Sequence, residues 1–138
     1  MLAELPQKAS AKERLRWIVE SFVRQLWGDR VFARLLCREF MDGPPERLEL
    51  LTKTVLDQPY RQLSAMLPEC AEELDPLLSA VSVSALILGH YQLAAGLPYL
   101  PEARTEHSSA ETVSRHIIDL LEHGVSTSRL EHPEERTS

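Results

Sequence analysis

The stretch "DPLLSAVSVSALILGHYQLAAGLPYLP", residues 75–101, contains no Asp, Glu, Lys or Arg after its first residue, in a chain of which 26% of residues are charged. A helix with no polar side must be covered on nearly every side by something other than water. A bilayer is one such cover, and a helix spans it with roughly twenty consecutive apolar residues. Ser79, Ser82, Ser84, Gly89, His90, Gln92 and Pro98 interrupt this run, and no basic cluster beside it sets an orientation. The sequence therefore predicts a helix sheltered by protein, with no membrane partner. Asp75 serves as its N-cap, Pro76 as its first helical residue, and it runs to about Ala95.

Four further helices are marked by caps and by apolar spacing, and no segment alternates in the manner of a strand, so the expected fold is all-α with five helices. The first opens with the capping box Ser10-Ala11-Lys12-Glu13 and carries Leu15, Ile18, Val19, Phe22, Val23 and Leu26 at helical spacing. The second starts at the N-cap Asp29 and stops at Gly43-Pro44-Pro45. The third starts at Pro45, and Pro59 inside it removes one backbone hydrogen bond, which predicts a kink around residues 56–60. The fifth is announced by a second capping box, Ser108-Ser109-Ala110-Glu111, and ends with Gly124 as C′. Residues 1–9 read as the end of a connecting helix or linker, 10–125 as one helical domain, and 126–138 as a disordered polar tail. At 138 residues such a domain buries a core without disulfides or a structural metal.

The net charge of −6 argues against this chain gripping a phosphate backbone by itself. Cys37 and Cys70 stand apart in apolar contexts and read as reduced, buried thiols, hence a cytoplasmic location. The amino terminus has no basic region followed by an apolar stretch, so no signal peptide is expected there. There is no GxSxG elbow, no HExxH and no phosphate-binding glycine loop, so neither catalytic residues nor a cofactor are assigned. His116, Asp119 and His123 share one helical face, but structural zinc wants more ligands than these, and no metal site is assigned. Of Arg38 and Glu39, just before the second helix stop, the reading favours a solvated helix end over a partly buried ion pair.

In the uncharged helix Leu77, Val81, Ser84, Leu88, Tyr91 and Ala95 recur at alternating spacings of four and three, which draws one seam. Leu78, Ala85, Leu86, Leu93 and Leu97 lie elsewhere around the cylinder, and the sequence leaves open which of the two faces is the dimer seam. Paired with Val113, Ile117, Leu120 and Leu121 of the last helix, the first forms a self-complementary patch, and two copies would close a four-helix bundle around a two-fold axis. A stable interface covers roughly 800 Å² per partner.

The order of these elements is similar to the C-terminal half of TetR/AcrR-family transcriptional regulators, in particular those with a CerR-type C-terminal domain. The resemblance is carried by "AKERLRWIVESFVRQLW", by "FARLLCREFMDGPPERLELLTKTVLDQPYRQLSAML", by the uncharged helix, and by "SSAETVSRHIIDLLEHGV", and it covers residues 10–125. It implies a repressor-type domain that binds a small apolar or amphipathic effector within helices one to four and forms a homodimer through helices four and five. DNA would be reached only through a helix-turn-helix domain, which this sequence lacks. The chain begins where that domain should have finished, as a fragment, a misplaced start or a natural short protein. Trp17, Phe22, Phe32, Phe40, Thr52, Tyr60, Met66, His90 and Tyr91 are the candidate lining of the effector pocket, an apolar set with few polar groups. Two other functions fit the residues: a stand-alone helical module that pairs with full-length regulators, and a small-molecule carrier.

Overall fold

The computed structural model of the chain describes residues 8–70 and 73–124, the side chains of 67–70 excepted. The expectations for residues 1–7, for the 126–138 tail and for the Cys70 side chain lie outside the described residues. All regular structure among the described residues is helical: α1 (Ala11–Gly28), α2 (Arg30–Asp42), α3 (Pro45–Leu51), a π-helical turn (Thr52–Leu56), α4 (Asp57–Cys70), α5 (Pro76–Leu93), two short 3-10 turns (Leu97–Tyr99 and Thr105–Ser108), and α6 (Ala110–Gly124). Because α3, the π turn and α4 run on without a break, the rods number five.

Local chemistry sets most of the starts. Ser10 and Glu13 exchange both bonds of a capping box, each 3.2 Å, at the head of α1. Asp29 accepts from the Phe32 N–H at 3.0 Å and Asp75 from the Leu78 N–H at 2.8 Å. The cap of α6 falls one residue later than the sequence suggests. Ser109, not Ser108, accepts from the Thr112 N–H at 3.2 Å, because Ser108 is engaged elsewhere: its hydroxyl donates to the Thr105 carbonyl and its carbonyl accepts the Trp27 indole N–H. Glu111, freed from capping, pairs with Arg115 at 3.0 Å.

The break between α2 and α3 is held by a close approach. A Cβ on Gly43 would stand 2.5 Å from the Glu39 carbonyl oxygen and 2.5 Å from its carboxylate. That carboxylate lies 3.3 Å from the Arg47 Nε on the far side of the prolines. Glu39 is therefore half-buried in an ion pair that fixes the turn, which corrects the expectation of a solvated helix end; Arg38 is exposed.

α1 is the centre of the bundle. Its Leu15, Ile18, Val19, Val23 and Leu26 are buried, and it packs against α2, α4, α5 and α6. Leu36, Leu63, Met66, Ile87, Val113 and Ile117 complete the core around it. Each fully buried side chain of this kind contributes on the order of 1.5 to 3 kcal/mol. By length and composition alone α5 is apolar enough to cross a membrane, which the interrupting serines do not prevent. In this fold it lies against α4 and α1, where Ala80, Val83, Ser84 and Ile87 enter the core.

Candidate functional site

Pro59 has no N–H to give the carbonyl of Val55, and its ring crowds that carbonyl. The chain absorbs the insult upstream, where the Asp57 N–H reaches back five residues to the Thr52 carbonyl and opens the π turn. The disturbance expected at residues 56–60 is thus a widened turn at Thr52–Leu56. It rotates Val55, Leu56, Pro59 and Tyr60 onto the edge of a space that α1, α2 and α5 close from the other sides.

That space is a cavity of about 80 Å³, lined by Ile18, Ser21, Phe22 and Gln25 of α1, by Phe32 and Phe40 of α2, by Val55, Leu56, Pro59, Tyr60 and Leu63, and by Ser84, Ile87 and Leu88 of α5. Among the described residues no charged side chain lines it. The Ser84 hydroxyl is turned back on its own helix, donating to the Ala80 carbonyl at 3.0 Å. Ser21, Gln25 and the Tyr60 phenol are left as the polar groups able to orient an occupant. An engineered cavity of about 150 Å³ takes up benzene, so this one admits a ring-sized ligand only after widening. The π turn in its wall is where the backbone is least regular.

Of the residues expected to line a pocket, the structure brings together Phe22, Phe32, Phe40 and Tyr60. The other five lie elsewhere. Trp17 packs half-buried on the core, Met66 is buried within it, and Thr52 is exposed on the outside of the π turn. Tyr91 meets Trp27 edge to face, with ring centroids 5.2 Å apart. His90 meets His116 in the same manner at 5.8 Å on the outer side of α5 and α6. Burial and the neighbouring His116 lower the His90 pKa from its ordinary value. His123 points its Nδ1 at the Asp119 carbonyl, 2.6 Å away, so His116, Asp119 and His123 do not converge. Ile18, Ser21, Gln25, Val55, Leu56, Pro59, Leu63 and Ile87 are lining residues that the sequence does not single out as such, and Ser84 and Leu88 are ones it places at the dimer seam, although Pro59 itself signals where a wall opens.

The structure divides the residues of the seam drawn on α5 and α6. Ser84, Val113 and Ile117 are buried inside the chain's own core, Leu88 walls the cavity, and Tyr91 and Leu121 pack against the core. Leu77, Val81, Ala95 and Leu120 stay exposed. The inner side of α5 is fixed by contact with α4 and α1, and the free side is the opposite one. There Leu78, Ser82, Ala85 and Leu93 face solvent, with Leu86, Gly89 and His90 half-buried beside them, and not one of these carries a fixed charge. Leu78 and Leu93 are 64% and 73% exposed, far outside what a core helix shows. Cys37 is free and half-buried rather than buried, in a groove between α2 and the end of α5. Among the described residues no group of three or more His, Cys, Asp or Glu is arranged to hold a metal ion. Comparison with family models, with curated proteins and with solved structures returns no match for this chain.

Proposed function

We propose that this chain is the ligand-binding and dimerisation domain of a TetR-family transcriptional repressor, working in the cytoplasm as a homodimer and meeting DNA only through a helix-turn-helix domain outside these 138 residues. One observation carries the reading: α5 is uncharged on both sides. Its inner side, with Ser84, Ile87 and Leu88, closes the apolar cavity, and its outer side, from Leu78 to Leu93, is left bare. A helix placed between a ligand and a partner copy is the element needed to link ligand occupancy to the relation of two subunits. The outer side of α5, with Leu120 of α6, is the dimer seam in this proposal, and it replaces the seam drawn from spacing. Small residues at Ser82, Ala85 and Gly89 let two such helices approach closely. The effector is a small uncharged molecule, apolar or amphipathic, because no ionised group among the described residues faces the cavity. Coupling requires that it bind one arrangement of the subunits better than the other.

Native mass spectrometry of the purified chain tests the reading. The expected result is twice 15.7 kDa, with a neutral ligand retained in each copy. A monomer at micromolar concentration overturns the repressor-domain reading, and a monomer that still carries ligand supports a small-molecule carrier instead. A dimer that takes up no ligand under any condition supports the stand-alone interaction module.

A further inference from the structure

The outer face of α2 breaks two local rules at once. Arg30, Arg34 and Arg38 stand four residues apart on it, a spacing at which like charges repel, and Arg30 is the first residue of the helix, where the helix dipole disfavours a cation. No acidic residue occupies that first turn. Among the described residues none of the three arginines forms a hydrogen bond or ion pair, although the chain carries a net charge of −6 and five other arginines do form ion pairs. Beside this cationic row runs an apolar one. Val31 is 69% exposed and Leu35 is 54% exposed, one turn apart. Between α2 and the end of α5 a groove is lined by the three arginines, Leu35, and the Trp27–Tyr91 pair. Local conflicts that the fold does not compensate are where an outside partner supplies the compensation.

We infer that the outer face of α2 and this groove form a docking site for a short acidic amphipathic helix of a partner protein, its carboxylates spaced one turn apart to meet Arg30, Arg34 and Arg38, its apolar side covering Val31, Leu35 and the edge of the Trp27–Tyr91 pair. The dimensions agree: the arginine row extends about 12 Å along α2, two turns of a facing helix. Guanidinium groups take carboxylates in a two-pronged geometry, which favours a partner with regularly placed side chains over a diffuse charge. A nucleic acid is the weaker candidate. It would gain nothing from Val31 and Leu35, and a chain of net charge −6 repels a polyanion as a whole. The groove reaches the end of α5 at Gln92, Ala94 and Ala95, next to Leu93 of the proposed dimer seam, but the arginine row with Val31 and Leu35 belongs to α2 and is outside that seam.

Fluorescence anisotropy decides the matter with a labelled amphipathic peptide carrying Glu at successive helical turns and Leu on the adjoining stripe. The controls are the same peptide with Lys in place of Glu, and random-sequence duplex DNA. The acidic peptide is expected to bind, and to weaken as NaCl rises toward about 1 M, where screening shortens the reach of charge to about 3 Å. R34E is expected to weaken it about tenfold, since one attraction becomes a repulsion, and L35S to weaken it at unchanged salt dependence. R34E also replaces two like-charge neighbours with two opposite-charge ones, so its Tm should equal or exceed that of the parent; a purely structural role for the arginine would lower it. The inference is overturned if the acidic peptide does not bind, if R34E binds it as well as the parent does, or if the Lys peptide or the DNA binds as tightly.

Discussion

Gly89→Ala separates a lone α5 from one that meets a second copy, because the two cases predict opposite signs. Gly89 lies inside α5, and a Cβ built on it has no atom within 4 Å in the single chain. With nothing to strike, the added methyl acts on the backbone alone. Glycine inside a helix is less favourable than alanine by roughly 0.5 to 1 kcal/mol, so the isolated fold should gain about that much, a few degrees in Tm for a domain of this size. If two copies of α5 cross near Ser82, Ala85 and Gly89, the same methyl enters a packed contact. Overpacking there costs about 1 to 3 kcal/mol, and the two-fold axis makes it count twice. The dimer would then loosen by about 2 kcal/mol or more, at least about thirtyfold in Kd. Sedimentation equilibrium of parent and variant over a range of concentrations reads the association, and thermal melts at the most dilute and most concentrated points read the fold. The expected pattern is a higher Tm when dilute and a weaker dimer when concentrated. A variant that is stabilised at every concentration and associates as well as the parent would refute close approach at this face.

Gly43→Ala should lower the urea midpoint by the equivalent of about 1 to 3 kcal/mol, because its Cβ meets the Glu39 carbonyl oxygen at 2.5 Å and a backbone atom cannot swing aside. Adding Glu39→Ala to it should recover only part of that loss, since the carboxylate is removed and the carbonyl stays. Trp27→Phe should cost about 1 kcal/mol in a denaturation curve by deleting the 3.0 Å bond from its indole N–H to the Ser108 carbonyl, which ties the end of α1 to the turn before α6. The folded pKa of His90 is lowered by burial first and by His116 second, so below the ordinary value of 6.5 the unfolded chain holds the proton more readily than the folded one. Its contribution to stability is whole above pH 6.5 and is lost as the pH falls through the lowered pKa. His90→Gln should flatten that part of a stability profile measured from pH 7 to pH 5.5, and His116→Gln should flatten it less.

Helix existence was legible because caps are local. Ser10 with Glu13, Asp29, and Asp75 with Pro76 each satisfy orphan N–H groups within three residues, and no distant contact competes for them. Ser108 shows where that legibility stops. Two adjacent serines offered almost equal caps, and Trp27, 81 residues away, settled the choice by taking the carbonyl of one of them. The Glu39–Arg47 pair was hidden for a related reason: its partners stand on two sides of a proline break whose path the spacing does not describe. Pro59 announced a defect in the third rod, but the sequence does not say whether a helix answers a missing N–H by bending or by widening. Here it widens, and the cavity wall follows from that answer.

The orientation of α5 was not legible, for a physical reason that applies to any uncharged helix. A face is readable when charged residues mark the opposite side, and in α1 or α6 the sequence alone shows which way the core lies. In α5 apolar residues point in every direction and cancel, so a spacing of four and three picks out a seam with no information about which side it faces. Orientation comes instead from α1 and α4, which take Ala80, Val83, Ser84 and Ile87. An uncharged cylinder needs two covers, the fold supplies one, and the stripe from Leu78 to Leu93 remains open to water. Leu77, Leu78, Val81, Leu93 and Leu120 are all large apolar side chains left 43% to 73% exposed. In the proposed dimer a two-fold copy of the α5–α6 pair would be that second cover, reaching α6 as well as α5 with no new surface required.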